Sequence, residues 1–253
     1  MFDALVHSRG LKPRDVEDLR FFGIAGALFP ASDAPPATPR AIHAEWAAVA
    51  ADARRLRKLG FHACAALGVP PRRIPLRGLE ALLHDLPELL GLPEVAAVGP
   101  IGLAAGTELE ASVLERQLAL ARELRLPVLV ETPALPSRAK ERATRQLIAA
   151  LREAEVEPSR VLVAHADART VKMIRACGFL AAPSLSRRGG IDEAVRIVSS
   201  LGPEGIVLAS DAGLAGGDPL ALARAADRLR KAGLSLAVVR RVCGDNALAW
   251  LGA

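Results

Sequence analysis

Eight short runs rich in Val, Leu, Ile and Ala recur along the chain, each followed by a longer stretch of helical period, and this alternation constrains the fold more than any other feature. The runs cover residues 2–7, 24–29, 61–68, 95–103, 127–132, 161–166, 178–184 and 205–211. The stretches 14–22, 39–59, 76–90, 108–124, 138–153, 168–177, 192–201 and 219–232 read as amphipathic helices. In 108–124, Leu109, Val113, Leu114, Leu118, Ala121 and Leu124 recur every three or four residues, while Glu110, Glu115, Arg116, Arg122 and Glu123 fall elsewhere. That spacing leaves one dry stripe to lie against a sheet. Parallel strands need a crossover helix between them, and eight such units are the number that closes a barrel. The expectation is an α/β chain folded as one (β/α)8 barrel domain over residues 1–253, with a terminal helix at 235–250 packed back on it. Asp218 followed by Pro219 reads as the cap and first residue of the helix at 219–232.

Charge and composition narrow the possible partners. The formal net charge is +5, but the bases are interleaved with acids along the helical stretches, and the chain has no Tyr on which bases could stack. No apolar block is long enough to cross a bilayer, and the first strand-like run follows Met1 at once, so a cytoplasmic location without membrane association is expected. Cys64, Cys177 and Cys243 are odd in number, far apart and set in apolar surroundings, which fits free thiols.

In a barrel of this kind chemistry sits at the carboxyl ends of the strands. His7 ends the first run, Glu131 the fifth, His165 the sixth and Asp211 the eighth, whereas His43 and His84 fall in helices and His62 begins the third run. Two imidazoles and two carboxylates at one barrel mouth suit Zn²⁺, Mn²⁺ or Fe²⁺, which accept mixed nitrogen and oxygen ligands. A metal held there would activate water, with a spare carboxylate taking the proton. Taken singly, each of these residues reads more readily as a polar group hydrogen-bonded at the rim; it is their co-location at one mouth that favours a metal. Arg9 after the first run, and Arg187 and Arg188 after the seventh, are candidates for binding an anionic substrate.

The motifs Asp3-Ala-Leu-Val-His7, Val98-Gly-Pro-Ile-Gly-Leu103, Leu126-Pro-Val-Leu-Val-Glu-Thr-Pro133, Val163-Ala-His165, Leu208-Ala-Ser-Asp211 and Asp245-Asn-Ala-Leu-Ala-Trp-Leu-Gly252 stand in this order along the chain. In order and placement they resemble the TatD-related branch of the amidohydrolase superfamily. The resemblance implies a TIM barrel, divalent metal ions and hydrolysis of phosphodiester, ester or amide bonds; some relatives act on DNA, so a phosphate-bearing or small-molecule substrate is expected, and nucleic acid is a further candidate. His7, His165 and Asp211 match the family pattern as they stand, with His165 and Asp211 in catalytic positions. Relatives carry His where this chain has Leu5, a metal-bridging Glu where it has Pro100, and His where it has Glu131. Leu5 and Pro100 offer no ligand atom. The expected centre is therefore degenerate: a single ion on His7, Glu131 and Asp211, with His165 completing the sphere or orienting a water.

Two other readings compete with it, and two more are excluded. A barrel that had lost its chemistry would serve as a binding or scaffolding partner and need no metal. A metal-free enzyme would use Glu131 and His165 as acid and base. A Schiff-base enzyme needs a lysine at a strand end, but Lys12, Lys58, Lys140, Lys172 and Lys231 all fall in helices or loops. No Gly-x-Ser-x-Gly pattern marks a serine nucleophile.

Overall fold

The computed structural model describes residues 1–32, 36–186, 190–214 and 217–252, apart from the side chain of residue 137. The strands are β1 (Phe2–Asp3), β2 (Gly26–Pro30), β3 (His62–Leu67), β4 (Val95–Gly102), β5 (Val128–Glu131), β6 (Val161–Ala166) and β7 (Leu180–Pro183). Among the described residues they form one parallel sheet in chain order. The helices are α1 (Pro13–Phe21), α2 (Pro39–Lys58), α3 (Leu79–Leu90), α4 (Glu108–Glu123), α5 (Ser137–Glu153), α6 (Thr170–Ala176), α7 (Gly190–Leu201), α8 (Ala221–Lys231), α9 (Leu236–Arg240) and α10 (Asn246–Leu251). This is the expected α/β barrel architecture.

Alternation along each strand divides the core in two. Leu28, Cys64, Ala66, Leu129, Leu162 and Ala164 fill the interior, and Ala27, Phe29, Ala63, Ala65, Val128, Val130, Val161 and Val163 face the helices. Period-two side chains on strands buried on both faces produce this division.

Two runs differ from the expectation. The eighth, expected over 205–211, is not a ladder strand but a series of isolated bridges, Ala181 to Ile206 and Ser184 to Ala209 on one side and Val6 to Ala212 on the other. Its amides explain the break. Leu208 N donates to Val242 O (2.8 Å) and Ser210 N to Asp3 Oδ1 (3.1 Å), so alternate bonds leave the sheet. The segment still joins β7 to the first run, through Val207 N to Ala181 O (3.0 Å) and Asp211 N to Leu5 O (3.0 Å). The first run, expected over 2–7, pairs as a strand only at Phe2–Asp3, because Leu5 N turns back to Asp3 Oδ1 at 3.3 Å.

The terminal helix is continuous from α9 through a π-helical turn (Arg241–Asp245) into α10. A π turn frees backbone carbonyls, and here Val242 O receives Leu208 N. Ala247 and Trp250 join the barrel-interior cluster, and Trp250 Nε1 donates to Arg160 O at 2.9 Å. The helix thus lies against the barrel through Ala247 and Trp250. The start of α8 lies at Ala221, beyond the expected Asp218-Pro219; Asp218 instead accepts from Leu220 N at 3.0 Å and pairs with Arg224 at 3.1 Å. Cys64, Cys177 and Cys243 are free thiols, with burial pushing Cys243 up to about 12. Among the described residues no helix is long and apolar enough to cross a membrane.

Candidate functional site

Three of the four candidate side chains meet at the carboxyl ends of the strands. His165 Nε2 lies 3.7 Å from Glu131 Oε1, and its Nδ1 lies 3.6 Å from Asp211 Oδ2. Both separations exceed hydrogen-bond length, so the groups are in close contact without a direct hydrogen bond between them. Glu131 points inward because it follows Leu129 by two residues on β5.

His165 reaches the mouth by a different route. Strict alternation after Val161 and Val163 would send it toward the helices, but the register of β6 slips between Ala164 and Ala166 and His165 has φ +57°. Asp211 likewise has φ +53°. Non-glycine residues in the left-handed region cost free energy, and such residues gather at functional sites.

Asp211 is almost fully buried. Its Oδ2 accepts from the Ser184 and Ser186 hydroxyls, the latter at 3.1 Å, while its Oδ1 is buried with no hydrogen-bond partner. The serines stand two apart just after β7, on one side of the chain, which is the signal that locates them in the sequence. Burial works to raise the Glu131 carboxyl, but the contact and charge of His165, with the charges of His7 and Arg72, outweigh it and hold the group below the ordinary glutamate range.

His7 sits at the seam where the barrel closes, its amide donating to Ala212 O at 2.7 Å. The loops on either side of this seam touch backbone to backbone. A Cβ on Gly10 would lie 1.7 Å from Gly213 O, and one on Gly213, whose φ is +87°, would lie 2.1 Å from His7 O. We expect Gly10→Ala to force these loops apart and to destabilise the protein by about 2 kcal/mol or more, as overpacking does. Urea denaturation measures this; an unchanged midpoint would show that the loops do not need the contact.

A cleft opens beside the cluster, lined by Arg72, Leu103, Glu131, Thr132, Pro133 and His165 among others. Arg72, which the sequence reading passed over, is exposed on the turn Pro71–Arg73. Buried neighbours fix that turn. Gln117 bonds both Val69 N (2.7 Å) and Val69 O (3.2 Å), and the Arg73 guanidinium donates to Ser32 O and Pro36 O. Arg9 is exposed and its Nη1 lies 4.0 Å from Asp52, away from this lining. Arg187 and Arg188 lie outside the described residues. Leu5 is packed in the interior layer and Pro100 is buried. Glu110 does not stand in for a bridging carboxylate: it accepts from the amides of Ala104 (2.9 Å), Ala105 (3.0 Å) and Gly106 (2.8 Å) and so is committed to its own loop.

The donors suit a divalent ion in kind, and the unpartnered Asp211 Oδ1 is the sort of atom a cation would satisfy. The contacts near His165 approach the roughly 3.4 Å that separates two donors of a tetrahedral ion bonded at about 2.1 Å. Yet His165 turns a different nitrogen to each carboxylate, and among the described residues no three His, Cys, Asp or Glu side chains form a ready metal group. An ion therefore takes at most one nitrogen of His165.

No family model matches the chain. It is 29% identical over 229 residues, 88% of each chain, to an uncharacterized metal-dependent hydrolase of Methanocaldococcus jannaschii. Among solved structures it is similar to the TatD-like protein of Archaeoglobus fulgidus, with a TM-score of 0.83, 25% identity and full coverage of both chains. It also shares its fold with the phosphotriesterase homology protein of Escherichia coli, with a TM-score of 0.73, 15% identity and 98% of each chain covered. In sequence and in fold, the chain is thus similar over most of its length to the TatD-like metal-dependent hydrolases, as its ordered motifs imply.

Proposed function

We propose that the chain hydrolyses a phosphodiester, ester or amide bond of a small, anionic or phosphate-bearing substrate in the cleft beside Glu131. The observation that carries this reading is His165 set between two carboxylates, Glu131 and Asp211, at the barrel mouth. The resemblance to metal-dependent hydrolases supports it. Asp211 takes the proton of the attacking water: both serine hydroxyls engage Oδ2, so Oδ1, buried and without a hydrogen-bond partner, is the oxygen that this water would share with a bound ion. His165, in contact with both carboxylates, orients Asp211 and supplies a proton to the leaving group. Glu131, held ionised by its cationic neighbours, keeps positive charge at the mouth balanced. Arg72, exposed at the lip of the cleft, receives the anionic oxygens of the substrate.

His7, Glu131 and Asp211, with one nitrogen of His165, are the groups that would hold a divalent ion, Zn²⁺, Mn²⁺ or Fe²⁺. When bound, it would lower the pKa of water and polarise the scissile bond.

The test is hydrolysis of p-nitrophenyl phosphodiester, phosphomonoester, carboxylic ester and anilide probes before and after chelation. Turnover of at least one probe, abolished by chelator and restored by Mn²⁺ or Zn²⁺, is expected. Turnover that survives complete chelation would overturn the assignment of an ion. With an anionic probe, Arg72→Ala raises KM about tenfold and leaves kcat nearly unchanged, the signature of lost uniform binding. An unchanged KM would remove Arg72 from the substrate site.

A further inference from the structure

The single lysine of α5 behaves unlike a surface lysine. Lys140 is 1% exposed: it lies in the first turn of α5, on the face that also buries Thr144, Leu147 and Leu151, where a charged side chain is out of place. Its Nζ donates to the backbone carbonyl of His165 and lies 3.6 Å from Asp167 Oδ2. The same carbonyl accepts from Thr132 Oγ1 at 3.1 Å, and Thr132 Oγ1 also reaches Ala164 O at 3.0 Å. Asp167 in turn accepts from the amides of Arg169 (3.1 Å) and Thr170 (3.0 Å) at the start of α6.

Burying an ammonium group is costly, and a hydrocarbon of similar size would fill the space with less penalty. The charge therefore has a purpose other than packing. What it grips is the carbonyl of the one residue of β6 whose φ is +57° and whose side chain departs from strand alternation.

From this arrangement we infer that Lys140 and Thr132 are positioning residues. Together they clamp the His165 carbonyl and so hold its imidazole between Glu131 and Asp211. Neither touches the reacting atoms in this role. Lys140 links three elements, since α5 carries it, β6 ends in the carbonyl it holds, and α6 begins at the carboxylate it pairs with. Thr132 adds the grip of β5 from the other side.

The inference rests on the hydrolase reading only in its kinetic consequence, and the test separates the two. The imidazole ¹H–¹⁵N correlations of the protein are recorded, with His165 assigned by its loss in His165→Gln. They are compared in Lys140→Met, Thr132→Val and Thr132→Ser. Lys140→Met and Thr132→Val are expected to move the His165 signals and leave those of His43, His62 and His84 in place. Thr132→Ser, which keeps the hydroxyl, is expected to return them to the wild-type position. On any probe that the wild type turns over, the first two variants lose about tenfold to hundredfold in kcat, as supports of active-site histidines do, with KM within about twofold.

If the His165 signals of folded Lys140→Met and Thr132→Val superimpose on the wild type, or if the signals of all the histidines move together, the two residues are structural and the inference is wrong. Should Lys140→Met fail to fold, the near-isosteric Thr132→Val decides the matter. A wild type that turns over no probe would count against the hydrolase reading alone, because the spectra still report the clamp.

Discussion

Asp211→Asn lowers turnover by about a hundredfold to ten-thousandfold, the range expected for loss of a positioned general base. The substitution is close to isosteric, and asparagine is among the residues that best tolerate a left-handed backbone, so φ +53° at this position is kept. The Ser184 and Ser186 hydroxyls rotate to suit an amide as readily as a carboxylate. What disappears is the charge beside His165 Nδ1, 3.6 Å away, and the basic, unpartnered Oδ1. Single-turnover and steady-state kinetics on the best probe should show the fall in kcat, with the thermal midpoint close to wild type. Full activity in the variant would mean that Asp211 shapes the mouth without taking part in the reaction.

Asp3→Asn changes the pH dependence of stability. Asp3 is fully buried at the seam, where one carboxylate oxygen receives the amides of Leu5 and Ser210 and the other has no hydrogen-bond partner. Burial raises its pKa from 3.8 to about 7; hydrogen bonds from Ser210 and Leu5 counter part of this rise, and the charge of Asp211 adds to it. The unfolded chain gives up this proton near pH 4, whereas the folded chain keeps it to about pH 7. Across that window the folded state binds more protons, so stability falls as pH rises. The contribution is whole below the unfolded value and gone above the folded one, a swing of about 4 kcal/mol. Asparagine keeps an oxygen for the two amides and cannot ionise. Urea denaturation at pH 4 and pH 8 should therefore show the stability difference between wild type and Asp3→Asn shifting by roughly that amount in favour of the variant as pH rises. Parallel pH profiles would refute the buried, proton-holding carboxyl.

Much of this architecture is legible in the sequence, because it depends on local periodicity. The runs at 161–166 and 95–103 and the helix at 108–124 match β6, β4 and α4 to within a residue, since alternating and helical spacings are properties of neighbouring residues. The seam was not legible. Whether residues 205–211 pair as a strand depends on a carboxylate more than two hundred residues earlier and on a carbonyl in the terminal helix, both of which draw amides from the ladder. The same contrast holds at the mouth. That Glu131, His165 and Asp211 meet follows from strand ends sharing one rim. That His165 arrives through a slipped register, that two serines flank Asp211, and that Arg72 and Lys140 reach the site from a turn and a helix are products of tertiary packing that no short-range pattern encodes. Lys140 illustrates the point. Helical spacing from Leu147 and Leu151 places it on the buried face of α5, but that its ammonium ends on the carbonyl of His165 is set by the fold.

The account stands or falls on whether the side chains at the barrel mouth act together on one ion. Elemental analysis of protein equilibrated with Mn²⁺ or Zn²⁺ and freed of excess metal measures this directly, with wild type and Asp211→Asn compared side by side. The account predicts about one ion per wild-type chain, as expected for a mononuclear site, and its loss in the variant. An absence of metal from the wild type, or equal retention by both proteins, would contradict it.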